Sequence, residues 1–156
     1  MTKIHTRPPK SRPYPPGIDK FRDIIGRRLA KIGAKQSDIF ASDRLCDRLI
    51  ALSGGQPREL MILIREALIG GDLPIDEAAV DRTVREGRRA YARQLRAEHW
   101  PIIEQVKKTG TFARTDQNDA AFRDLLDSRA ILQYVNDEEW YGINPLIAEL
   151  KKPGSP

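Results

Sequence analysis

Ser53-Gly54-Gly55-Gln56-Pro57-Arg58-Glu59-Leu60 is the stretch on which the reading of this chain turns. Two glycines permit backbone conformations that a Cβ forbids, and Pro57 presets φ for the first residue of a helix. The octet is therefore expected to end one helix and begin the next, with Arg58 in the opening turn of the second. A helix start presents unused N–H groups and the positive end of the helix dipole, which together favour an anion. A guanidinium in that turn adds charge-assisted donors suited to phosphate oxygens. The alternative is a plain helix–turn–helix connection whose arginine is solvated or paired with Glu59.

Helical spacing extends on both sides of the octet. Upstream, Leu45, Leu49 and Leu52 follow a Ser42 cap; before them Phe21, Ile24, Ile25, Leu29 and Ile32 share one face that stops at Gly33. Downstream, Leu60, Met61, Leu63, Ile64, Ala67 and Leu68 predict a buried helix as far as Gly70-Gly71, and another runs from near Asp76 to about Ala97. After residue 97 the pattern changes. Pro101 suggests a fresh helix, with Trp100, Ile102, Ile103 and Val106 on its apolar side before Gly110. A polar loop at 114–118 leads into a short helix carrying Ala121, Phe122, Leu125 and Leu126. Ile131-Leu132-Gln133-Tyr134-Val135 and Trp140-Tyr141-Gly142-Ile143 then flank an acidic turn, Asn136-Asp137-Glu138-Glu139, and predict a hairpin.

The expected fold is mainly α: a helical bundle, then a winged helix-turn-helix with a C-terminal β-hairpin. Residues 1–16 form a proline-rich basic arm or linker, 17–97 the bundle, 98–150 the winged helix and 151–156 a tail. Arg7-Pro8-Pro9-Lys10-Ser11-Arg12-Pro13-Tyr14-Pro15-Pro16-Gly17 is too rich in proline for helix and is expected to be extended, as an arm lying on something else or as a free tail.

Composition narrows the function classes. The 156 residues are 40% hydrophobic and 31% charged, sufficient for a core and ordinary for a helical protein. The N-terminus has charge but no apolar stretch of the kind a secretory signal needs, and a cytoplasmic setting is expected. Cys46 is the single cysteine, so neither a disulfide framework nor a cysteine-based zinc site is possible within the chain; a buried, inert thiol is expected. His5 and His99 have no ligand-spaced partners, and no metal site or catalytic constellation stands out. The net charge of +5 is uneven: residues 1–96 hold 20 Lys/Arg against 12 Asp/Glu, residues 97–156 hold 7 against 10. Affinity for polyanions should reside in the first part.

The octet, followed by Ile64-Arg65-Glu66-Ala67, resembles the helical lid of AAA+ and STAND-type P-loop ATPases, in which a Gly-x-Pro-Arg turn supplies the "sensor 2" arginine. The order of elements, with a tyrosine- and tryptophan-containing hairpin at the end, is similar to bacterial members whose lid is followed by a winged helix. The resemblance spans roughly residues 17–147. It implies that Arg58 contacts ATP, with Gly54, Gly55 and Pro57 shaping the turn. The acidic charges of the expected winged helix, rather than the resemblance, favour a protein partner or an intramolecular contact there. No Gly-x-x-x-x-Gly-Lys-Ser/Thr occurs, and no apolar strand ends in an acidic pair, so hydrolysis is not expected of this chain alone. ATP would be bound only together with a P-loop core, in cis or in trans; the chain is either a piece of a larger ATPase or a stand-alone unit working on a partner.

A second feature is a basic stripe. Arg82, Arg85, Arg89, Arg93 and Arg96 recur at helical spacing, with Val80, Val84, Tyr91 and Leu95 opposite. The stripe could neutralise phosphates of a nucleic acid or dock on an acidic protein, or it could be a solvated face tempered by Asp81 and Glu86. The expected winged helix argues against DNA. Its short helix carries Asp119, Asp124 and Asp127 beside Arg123 and Arg129, and its wing tip is acidic. A stand-alone nucleic-acid-binding module and a protein-interaction adaptor are therefore the alternatives to nucleotide sensing.

Overall fold

The computed structural model describes residues 2–8, 12–69, 71–135 and 138–152. They form seven helices and one two-stranded antiparallel sheet at the C-terminal end, the mainly α architecture that the periodicity predicts. The chain divides into two compact units. One contains Thr2–His5 and Pro13–Glu86; the other contains Thr6–Arg12 and the chain from Gly87 onward.

The N-terminal unit is built from α1 (Pro15–Ala30), α2 (Gln36–Ile39), α3 (Asp43–Leu52), α4 (Pro57–Ile69) and the first part of α5 (Glu77–Gln94). Phe21, Ile25, Leu45, Leu49, Ile50, Leu60 and Leu63 fill its core. Each is apolar at a helical interval, so one stripe per helix is removed from water, at about 1.5–3 kcal/mol per fully buried side chain. Cys46 lies among them, fully buried, and burial pushes its thiol up to about 12.

Several local expectations are corrected. Helix α1 starts at Pro15, inside the stretch expected to be extended, because Pro15 and Pro16 occupy first-turn positions whose N–H groups a helix does not use. It ends at Ala30, which leaves Ile32 74% exposed instead of on the buried face. Ser42 holds the N-cap position of α3, but its side chain makes no capping bond. Asp76 does cap α5, its Oδ1 accepting the Ala79 N–H at 2.8 Å. Helix α5 stops at Gln94, short of Ala97. The Arg96 N–H is donated to His99 Nδ1 at 3.1 Å, which turns the chain into the next helix.

The N-terminal arm is folded onto the units. In the N-terminal unit Thr2 N–H donates to the Gly55 carbonyl at 3.2 Å, Tyr14 N–H donates to the Ile4 carbonyl at 2.7 Å, and Ile4 is fully buried. In the C-terminal unit Thr6 N–H donates to the Arg12 carbonyl at 2.9 Å, and Arg7 pairs with Glu138 at 2.9 Å.

The C-terminal unit takes over within α5. The division falls between Glu86 and Gly87, whereas sequence grammar changes at 97. The reason is packing. Leu146 sits so close to Gly87 that an added Cβ would lie 3.1 Å from its Cδ1, and Tyr91 and Leu95 pack on the C-terminal core. Helix α6 (His99–Thr109) begins two residues before Pro101, again using proline in a first turn. Helix α7 (Asp119–Asp127) and the hairpin of β1 (Ile131–Val135) and β2 (Glu139–Ile143) follow, the helix, helix, hairpin order expected for a winged helix. Trp100, Ile102, Ile103, Val106, Phe122 and Leu125 form the core, with Phe122 stacked on Phe112 and edge-on to Tyr141. Tyr134 pairs with Trp140 across the hairpin, their rings stacked at 4.1 Å. No helix among the described residues is long and apolar enough to cross a membrane.

Candidate functional site

Main-chain bonds build the turn that carries Arg58. Ser53 closes α3, its N–H donating to the Leu49 carbonyl at 3.0 Å and its hydroxyl to the Ile50 carbonyl at 2.7 Å. The same hydroxyl accepts the Gly55 N–H at 3.3 Å. Gly54 and Gly55 both have positive φ, 62° and 82°, the left-handed region that glycine enters without steric cost. Gln56 N–H returns to the Ser53 carbonyl at 3.2 Å, and Leu60 N–H reaches back to the Gln56 carbonyl at 3.0 Å as α4 begins. Pro57 is the first residue of α4, as the octet predicts. Ser53, Gly54 and Gly55 are buried, whereas Pro57 and Arg58 are exposed. The turn is thus fixed on its inner side and presents its arginine outward.

Arg58 makes no hydrogen bond or ion pair with the described residues, in contrast to most arginines of this unit. Arg22 is held by Asp19 and Asp47, Arg44 by Glu77, Arg48 by Glu77 and Asp81, and Arg65 by Glu66. Of the assigned residues, Gly55 has a further role that sequence reasoning missed. A Cβ there would lie 1.9 Å from the Thr2 carbonyl oxygen, so the glycine admits the N-terminal arm as well as shaping the turn.

The five stripe arginines separate into two groups. Arg82 is partly buried and donates to the Ala67 carbonyl at 3.4 Å. Arg96 is tied to Glu98 at 3.2 Å and to Asp124 on α7. Arg85, Arg89 and Arg93 are exposed and have no ion pair among the described residues. Sequence spacing placed all five on one face but gave no sign of Asp124, because that partner is far away along the chain.

Two acidic groups of the C-terminal unit, Asp119 and Glu139, are likewise engaged internally. Asp119 takes Arg114 at 2.5 Å and Arg123 at 2.8 Å, while Glu139 accepts the Tyr141 hydroxyl. Asn136 and Asp137 of the expected wing tip lie outside the described residues. Asn144, which sequence reasoning did not single out, organises the end of the hairpin. It is fully buried, and its amide donates to the Tyr91 hydroxyl at 2.9 Å and to the Arg129 carbonyl at 3.1 Å.

A cleft of about 470 Å³ in the same unit is lined by Tyr91, Arg93, Arg96, His99, Asp124 and Asp127. His99 is buried, and burial together with the nearby Arg96 charge lowers its pKa. Its Nδ1 accepts the Arg96 N–H, so the neutral ring carries its proton on Nε2, a buried atom without a partner. Among the described residues no group of three or more His, Cys, Asp or Glu side chains could hold a metal ion.

No protein-family model matches the chain, and no curated protein sequence or solved structure matches it significantly.

Proposed function

We propose that this chain is the regulatory lid and winged-helix portion of a P-loop ATPase, with Arg58 as its nucleotide sensor. One observation carries the reading: a hydrogen-bonded, glycine-closed turn presents an exposed guanidinium, unpaired among the described residues, in the first turn of a helix. An unpaired arginine loses no internal partner when it bonds a phosphate, and the adjoining helix dipole favours the same charge. A P-loop core, in cis or in trans, would hold ATP and supply magnesium. Arg58 would then bond the terminal phosphate and lose that contact after hydrolysis. The difference biases the lid between two arrangements, and the C-terminal unit passes the change to a protein partner. The chain does not hydrolyse ATP by itself in this scheme.

A contact made only to the terminal phosphate should distinguish ATP from ADP. One charge-assisted bond is worth about 1.5–3 kcal/mol, or roughly 10–100-fold in affinity. Titration of the assembled ATPase with both nucleotides, before and after Arg58→Ala, tests this: ATP affinity falls while ADP affinity holds.

Arg89 and Arg93 support a second reading. Both are exposed and without an ion pair among the described residues, so either could meet a nucleic-acid phosphate at no cost to internal pairing. The internal pairing of Arg96, Arg114 and Arg123 limits this surface and favours a protein partner for the rest of the unit.

A further inference from the structure

Two glycines far apart in sequence do the same thing in the N-terminal unit. A Cβ on Gly17, in α1, would lie 1.8 Å from the Lys3 carbonyl oxygen; one on Gly55 would lie 1.9 Å from the Thr2 carbonyl oxygen. Neither approach is open to any other residue, since the atom in the way is backbone. Successive carbonyls of the arm thus rest on two glycines, one in α1 and one in the turn before Arg58. The arm is secured at further points. Thr2 N–H donates to the Gly55 carbonyl, and Tyr14 N–H to the Ile4 carbonyl. Ile4 is fully buried, and Lys3 Nζ lies over the Tyr14 ring at 4.9 Å.

We propose that Thr2–His5 is a strap that positions Arg58, so that docking or release of the strap regulates nucleotide sensing. The proposal rests on Arg58 being the sensor. Gly55 is the shared element. Its carbonyl accepts the Thr2 N–H and its Cα receives the Thr2 carbonyl, and it lies three residues before Arg58. With the strap docked, the turn is held from both sides, by Ser53 within and by Thr2 across it. With the strap released, Gly55 loses its Thr2 bond and keeps the one to the Ser53 hydroxyl, and two glycines at positive φ then give Arg58 a wider range of positions. Release of residues 2–5 should therefore loosen the turn before Arg58 while α3 and α5 stay folded.

Gly17→Ala tests this without altering the Arg58 turn. Alanine favours the helix at that position, so its effect comes from the clash with the Lys3 carbonyl. Ile4→Ala, which removes the buried anchor, is the second variant. Amide exchange of the full chain should quicken by about tenfold at residues 2–5 and 54–60 in both variants, with α3 and α5 retaining their protection. Labelling of Arg58 by phenylglyoxal should change relative to Arg85, an exposed arginine elsewhere in the same unit.

The proposal is overturned if residues 54–60 keep their protection after the strap is released, or if the strap stays docked in Gly17→Ala. Loss of protection throughout α3 and α5 in both variants also overturns it, because the segment would then be part of the core. Arg58→Ala separates the two ideas. If the assembled ATPase ignores that change while Gly17→Ala still frees the turn, sensing fails and the strap stands. If Arg58→Ala impairs ATP binding and Gly17→Ala leaves the turn protected, the strap fails alone.

Discussion

The Ser53–Arg58 turn and the Arg96–His99 connection are both helix junctions that carry an arginine, and they use it in opposite ways. The first is closed by two glycines and a serine hydroxyl acting on main-chain groups, and Arg58 has no partner among the described residues. The second adds side-chain bonds to its main-chain turn, in which His99 N–H donates to the Arg96 carbonyl at 3.1 Å. His99 holds the Arg96 N–H, while the Arg96 guanidinium reaches Glu98 and Asp124. A junction built from backbone leaves its side chain available to a ligand. A junction that also uses side chains commits them to the fold. Arg85, Arg89 and Arg93 are also exposed and without an ion pair among the described residues, so what sets Arg58 apart is availability joined to a glycine-closed turn at a helix start.

The largest test of this contrast is to remove the packing behind the second junction. Phe122 places α7, and with it Asp124, by stacking on Phe112 at 4.8 Å and meeting Tyr141 at 5.2 Å. Phe122→Ala should cost about 3–5 kcal/mol of stability, measured by chemical denaturation, and loosen the Arg96 pairing with it. A loss under about 1 kcal/mol would mean that α7 is held by something else.

Acid should give a smaller, graded loss. The His99 pKa is lowered from its ordinary 6.5 by burial and by Arg96, so the folded chain resists its protonation. The unfolded chain therefore binds the proton more readily. Stability from neutral His99 is complete above 6.5 and declines as pH falls below that value. His5 is lowered in the same direction by burial, and adds its own decline. Denaturation followed from pH 8 to 5 should show the slope, and His99→Gln should reduce it; an unchanged slope contradicts the role given to His99.

The smallest effects concern surface charge. Arg96→Ala should cost no more than about 1 kcal/mol, because its pairs are more than half exposed and screened. On duplex DNA at low salt, Arg93→Ala should weaken any binding more than Arg96→Ala, since only Arg93 is unpaired. Equal effects would erase the distinction between available and committed arginines in this unit.

Periodicity made the longer helices and the hairpin legible because they bury regular apolar positions, from Leu45 and Leu49 in α3 to Tyr134 and Trp140 across β1 and β2. The four-residue α2 buries no residue and gave no such signal. Proline misled at α1, where a residue that breaks helices internally starts one. It was read correctly at Pro57, where glycines announced the junction. The division within α5 left no mark on the sequence because helical spacing continues through it; the Leu146 contact at Gly87 and the packing of Tyr91 and Leu95 reveal the change. Arg58 was legible because its turn is local. The pairing of Arg96 with Asp124, the organising bonds of Asn144 and the carbonyls resting on Gly17 and Gly55 were not, since each joins residues widely separated along the chain.

The central claim is the proposal that Arg58, without a partner among the described residues, meets a nucleotide phosphate, and one titration tests it most directly. The chain assembled with its P-loop core is titrated with ATP and ADP, as wild type and as Arg58→Ala, with thermal unfolding followed in parallel. An exposed, unpaired arginine should change stability by no more than about 0.5 kcal/mol when replaced. The account predicts ATP affinity weakened by about 10–100-fold, with ADP affinity unchanged. Equal ATP affinity in the two proteins would contradict it.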